Sequence, residues 1–280
     1  MPTVKARDGA TLHYAVHDYT DRWRKAETII LIHGFARSGA FWFNMVPYLA
    51  RFYRVICPDL RGLGQSTPLH DPARSLSMAA YIGDIEAVAD HAGAATFHLV
   101  GEAIGGAITL IFAAERPHRL RTLSVLAPAV WANDWIRNAY AVGFPSWVEA
   151  IRTLGVEGWV RKSNTLARFP AGFDPAFMDW YAKEVGKADV DVVTAMVDFA
   201  GAVDAKPYLQ SIAAPVLALY PTGSNISSAD QEQALRDNIP SVRVTHLDTA
   251  SAMLGMQQPR ACAEAILNFA ASHDGIVCRE

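Results

Sequence analysis

LVGEAIGGAITL, residues 99–110, decides how the chain is read. It opens as a short apolar run, turns through Gly101-Glu102-Ala103-Ile104-Gly105, and continues as a small-residue segment that stops before Pro117. A strand that turns this sharply into a helix needs residues without a Cβ, because the two backbones must pass close to one another. A G-x-S-x-G turn of this kind exposes a nucleophilic serine. Here the middle position is Ala103, which offers a methyl group.

Working outward, TFHLVG (96–101) is a strand and 103–116 its helix, followed by the strand RTLSVLAP (121–128). Upstream, TIILIH (28–33) and RVICPD (54–59) are apolar, β-branched runs too short for helices, as expected of strands buried on both faces. Between them GAFWFNMVPYLARF predicts a helix kinked at Pro47. Ser77 caps a predicted helix running to about His91, and Asp8-Gly9 joins TVKAR to TLHYAV as a hairpin. Downstream come PVLALY (215–220), a helix from about Ala229, VRVTHL (242–247) and a last helix from about Pro259. Strands alternating with helices predict an α/β fold: an eight-stranded, mostly parallel sheet with helices on both faces.

Residues 129–210 break that rhythm. They hold five of the seven tryptophans and no evident strand, so they are expected to form a helical, aromatic-rich lid inserted after the sixth strand. Residues 1–128 and 211–280 then make the core. Trp131 and Trp135, nearest the strand end, are the tryptophans expected to line a pocket, while the others build a small second core.

Composition excludes several classes. With 51% hydrophobic and 19% charged residues and a net charge of −3, the chain is neither disordered nor marked for nucleic acid. No run of eighteen apolar residues offers a membrane span, and the N-terminus has no signal-peptide pattern, so a soluble, cytoplasmic protein is expected. Cys57, Cys262 and Cys278 stand far apart, without a Cys-x-x-Cys pair. No metal or cofactor is expected, and the partner is a small molecule.

Four stretches in order carry a resemblance: HGFARSGAFW (33–42), PDLRGLGQS (58–66), VGEAIGG (100–106) and LDTASAMLGMQQP (247–259). Together the chain resembles the α/β-hydrolase superfamily, in the lidded branch of esterases, lactonases, C–C bond hydrolases and epoxide hydrolases. The resemblance implies that the backbone amides of Phe35 and Ile104 form an oxyanion hole, helped by the start of the helix after Ala103. It also implies a Ser-Asp-His triad whose positions fall on Ala103, on Ser224 or Asn225, and on Ala252. None of these side chains does triad chemistry, and no histidine lies between 247 and 272.

Other residues are candidates in their place. Glu102 has two roles open to it: a buried carboxylate satisfying backbone amides, or a general acid or base raised in pKa by desolvation. His33 is the second candidate proton mover, although the resemblance gives it a supporting role beneath the oxyanion turn. Ser38, Trp42 and Asp134 are candidate ligand contacts.

Three functions compete. Ranked first is an enzyme without a covalent intermediate: a lyase, decarboxylase, cyclase or direct hydrolase using the oxyanion hole with Glu102 and His33 as proton movers. Next is a small-molecule binding protein on a hydrolase scaffold. Last is an ester or lactone hydrolase inactivated by a serine-to-alanine change at 103.

Overall fold

The computed structural model describes residues 2–164, 168–170, 172–223 and 228–278. Eight strands run in the order β1-β2-β4-β3-β5-β6-β7-β8: β1 Thr3–Lys5, β2 Thr11–His17, β3 Thr28–Ile32, β4 Arg54–Pro58, β5 Phe97–Glu102, β6 Leu120–Leu126, β7 Val216–Pro221 and β8 Val242–Leu247. β1 and β2 pair antiparallel, as do β2 and β4; every later pairing is parallel. The strands β3 to β7 are buried on both faces, as their unbroken apolar runs require. Side-chain alternation divides them between two cores. Ile29 and Leu31 of β3 face one helical layer, Ile30 and Ile32 the other.

Eleven α-helices are found among the described residues. In chain order they are α1 Val46–Leu49, α2 Pro72–Ser75, α3 Met78–His91, α4 Ile104–Glu115, α5 Asp134–Tyr140, α6 Trp147–Ser163, α7 Pro175–Val185, α8 Val190–Ala202, α9 Ala229–Asn238, α10 Leu254–Gln257 and α11 Pro259–Asp274. Ser77 caps α3 through its side chain, which accepts from the Ala80 amide at 3.2 Å. The helix expected after β3 is broken into a 3-10 turn, Gly39–Trp42, and the single turn α1. Pro47 has no N–H and sits in the first turn of α1, so it starts a helix there instead of kinking one. Helices α5 to α8 all lie between β6 and β7.

β3 lies centrally, with β4 on one side and β5 on the other, so the chain leaves its carboxyl end where neighbouring connections diverge. The register Ile32↔Gly101 brings the turn after β3 level with the turn after β5.

Candidate active site

The turn after β3 is held by His33 and Arg37. The Leu60 amide donates to His33 Nε2 at 3.0 Å, so Nδ1 carries the proton and donates to the Gly34 carbonyl at 2.9 Å. Burial pushes the His33 imidazole down to about 4, so it is neutral near pH 7. Nε2 therefore ties the turn after β3 to the turn after β4, while Nδ1 fixes the ring within its own turn. Ala36 takes a left-handed φ of 52°, and the Arg37 guanidinium folds back into the space that a Cβ on Gly34 would occupy.

Across the gap, Arg37 Nη1 meets Glu102 Oε2 at 2.6 Å, with both side chains buried. Glu102 Oε1 faces the Gly255 amide at 3.4 Å, which fixes it to the start of α10. Ala103 follows at φ 53°, ψ −117°. For alanine this backbone conformation is costly, on the order of 1–3 kcal/mol, and the surroundings enforce it. The Ala103 amide donates to Leu126 at 3.0 Å, and its carbonyl accepts from Gly106 at 2.9 Å and Ala129 at 3.0 Å. A Cβ on Gly105 would lie 2.5 Å from the His33 carbonyl, so helix α4 approaches the β3 turn as closely as two backbones allow.

Above these turns lies a cavity of about 750 Å³. Its floor includes Phe35, Arg37, Ala103, Ile104, Ala252 and Met253. Its roof comes from the helices and connections between β6 and β7 and includes Ile136, Tyr140, Trp147, Arg168, Tyr181 and Val197. The Trp147 ring packs at 4.8 Å from Phe35 and stacks at 5.0 Å on Tyr140, joining roof to floor. Among the described residues, the amides of Phe35 and Ile104 have no hydrogen-bond partner.

The structure gathers Phe35, Ala103, Ile104 and Ala252 on one wall. Glu102 and His33 lie behind it, satisfied by Arg37 and by backbone groups, and neither contributes to the lining. Trp42 is buried beneath Gly255, away from the cavity. Ser38 opens instead on a separate cleft of about 420 Å³ beside Asp59. Trp131 stands outside the lining with the Lys206 ammonium 4.5 Å over its ring, and Asp134 is fully exposed in the first turn of α5, 3.6 Å from Arg137. Trp135 is on α5, its side chain outside the described residues, as is the whole of Ser224. Asp59, near the same turns, accepts from the Gly39 and Gln65 amides, while Arg61 pairs with Asp84 and Asp8.

Sequence reasoning missed Arg37 and Arg168. Arg37 stood inside the quoted HGFARSGAFW, but a buried arginine interrupts no apolar pattern in a turn. Arg168 sits between helices, where periodicity carries no signal.

Nearly the whole chain superposes on solved hydrolases. The enol-lactonase of Burkholderia xenovorans superposes with a TM-score of 0.79 at 20% identity, covering 96% of this chain and 99% of its own. The chain has the α/β-hydrolase fold. A thermophilic esterase of Thermogutta terrifontis, solved with malate bound, gives 0.82 at 20% identity over 97% and 98% of the two chains. A meta-cleavage product hydrolase of Pseudomonas fluorescens gives 0.77 at 16% identity over 97% and 98%. The family model described as α/β hydrolase fold matches residues 27–161. A protein provisionally named carbamate hydrolase RutD in Azorhizobium caulinodans is 24% identical over 98% of this chain and its own full length. The acetyltransferase component of the Cupriavidus necator acetoin cleaving system is 33% identical over 46% of this chain, and the match spans only a third of that protein. Among the described residues no helix is long and apolar enough to cross a membrane.

Proposed function

We propose that this α/β-hydrolase-fold protein is an enzyme that acts on a small, partly apolar carbonyl or carboxylate compound without a covalent intermediate. The observation that carries this reading is the pairing of Ala103 with its backbone: the strained elbow is kept, with the Phe35 and Ile104 amides on the cavity wall, while the side chain that would attack is a methyl. Those two amides form the oxyanion hole, and the start of α4 adds its positive end. Ala103, Ser224 and Ala252 occupy the three triad positions, so acyl transfer through residue 103 is closed.

The places of Glu102 and His33 narrow the chemistry. Glu102 is an ion-pair partner and His33 a neutral strut, so catalysis rests on charge stabilisation. Direct water attack on an activated lactone or ester, or loss of carbon dioxide from a β-keto acid, fits a site of this kind. The helices over the cavity act as its lid, and the cavity opens to solvent beside Asn138, Pro145 and Asp198.

Incubation with panels of lactones, activated esters and β-keto acids is expected to give product above buffer with no mass adduct on the intact protein. An acyl adduct would overturn the non-covalent mechanism. The alternative function, a binding protein on the same scaffold, is favoured by one observation: neither candidate proton mover lines the cavity. It holds if ligands bind saturably and are recovered unchanged from every panel.

A further inference from the structure

Arg168 stands apart from the other buried charged groups of the site. It is 6% exposed, it lines the roof of the cavity, and its guanidinium lies 4.6 Å over the Tyr140 ring and 4.7 Å over the Trp159 ring. Its Nη1 donates to Ser163 Oγ at 2.6 Å. Among the described residues no carboxylate lies within 4.0 Å of it. Glu102 is committed to Arg37, and Asp198, also on the lining, is exposed to solvent. Two guanidiniums and one carboxylate leave the buried site with one positive charge in excess. An isolated buried cation is expensive, and aromatic faces offset only part of that cost.

The guanidinium is also fixed in place. The Arg168 carbonyl accepts from Gln257 Nε2 at 2.8 Å and from the Ser251 hydroxyl, and the same hydroxyl accepts from the Met253 amide at 3.1 Å. The loop bearing Ala252 on the cavity floor therefore clamps the backbone that presents Arg168 from above.

We infer that Arg168 is the receptor for the carboxylate of an organic monoanion whose apolar body lies against Phe35, Tyr140 and Trp147. The inference rests on the reading that the ligand occupies this cavity, and it adds the ligand's charge and orientation. One negative charge cancels the excess, and a planar guanidinium donates two parallel hydrogen bonds to a carboxylate. A cavity of about 750 Å³ with aromatic walls gives the remainder of the ligand room and apolar contact. The ligand is thus held at two ends, its carboxylate at Arg168 and a second oxygen at the Phe35 and Ile104 amides.

The test is isothermal titration of the full-length protein with benzoate, phenylacetate and 3-phenylpropionate, each beside its neutral primary amide, and with inorganic phosphate. At least one acid is expected to bind with a Kd below about 1 mM and at least about tenfold more tightly than its amide. Arg168→Met is expected to remove that preference and Arg168→Lys to keep part of it. An acid-to-amide ratio near one in the unaltered protein overturns the inference whether or not the variants fold, as does a preference that survives Arg168→Met. Phosphate matching the best acid, or no acid binding, overturns it as well. An acid that binds through Arg168 while every panel compound is recovered unchanged sinks the enzymatic reading and leaves this one standing. Turnover with a ratio near one does the reverse.

Discussion

Two stretches on the cavity floor differ in how they keep their shape. The tip of the elbow at 101–106 is held by backbone: the Ala103 carbonyl accepts from Gly106 and Ala129, and Gly105 abuts the His33 carbonyl, while the neighbouring Glu102 side chain anchors it to Arg37 and the Gly255 amide. The loop at 249–257 is held by side chains. Thr249 Oγ1 donates to Gln257 Oε1 at 2.8 Å, Ser251 bridges Arg168 and Met253, and Gln257 reaches Arg168. An elbow built from main-chain contacts keeps its form whatever side chain stands at its tip, so serine chemistry can be lost there without losing the amides. A loop built from side chains takes a new structure when those side chains change. One stretch is fixed at its tip by main-chain contacts and the other by a side-chain clamp.

The largest effect is expected where the two stretches meet. Glu102→Gln leaves the Arg37 guanidinium buried without its counter-charge and is expected to cost about 3–5 kcal/mol, read by urea denaturation. A loss below about 1 kcal/mol would show that the ion pair does not hold the elbow to α10. Gly105→Ala drives a Cβ against the His33 carbonyl and is expected to cost about 2–3 kcal/mol. Unchanged stability there would break the claim that the elbow is fixed by backbone proximity.

Acid acts on the strut beneath the elbow. His33 binds its proton near pH 6.5 in the unfolded chain and only at about 4 in the folded one, so between those values the unfolded state carries more protons and stability falls as pH falls. From pH 7 to pH 5 this group alone is expected to remove about 2 kcal/mol, measured as the shift in the denaturation midpoint. A flat profile across that window would free His33 from its neutral, backbone-bound state.

Ser251→Ala tests the loop's clamp. It removes two hydrogen bonds and is expected to cost about 1–2 kcal/mol, with weaker carboxylate binding at Arg168. The smallest effect belongs to Ala103→Ser. It is expected to change stability by less than about 0.5 kcal/mol and to leave ester hydrolysis at background, because Ala252 supplies no base. Fast hydrolysis by that single variant would mean a base reaches residue 103 from elsewhere in the cavity.

The sheet was legible in the sequence because each strand is an apolar run bounded by turn residues: VRVTHL gives β8 end to end, and TIILIH gives β3 with one residue to spare. The stretch around Pro47 was not, since proline at a first turn and proline in a helix interior look alike until the neighbouring turn is known. In the candidate site, Phe35, Ala103, Ile104 and Ala252 lie together on the cavity, whereas Ser38, Trp42, Trp131 and Asp134 stand off it, because the direction of a side chain in a turn depends on what packs around it and no sequence period records that.

By itself the sequence determined the strand order's ingredients, the elbow and the methyl side chain at its tip, since apolar period and glycine placement are local properties of the chain. Only the tertiary structure decided that Glu102 belongs to Arg37, that His33 is a strut, and that Arg168 is buried over the cavity without a carboxylate. Those are matters of which charge lies beside which, across 65 residues in the first case and inside an irregular segment in the last. No local pattern encodes such pairings, because burial and Coulomb interaction act through space and not along the chain.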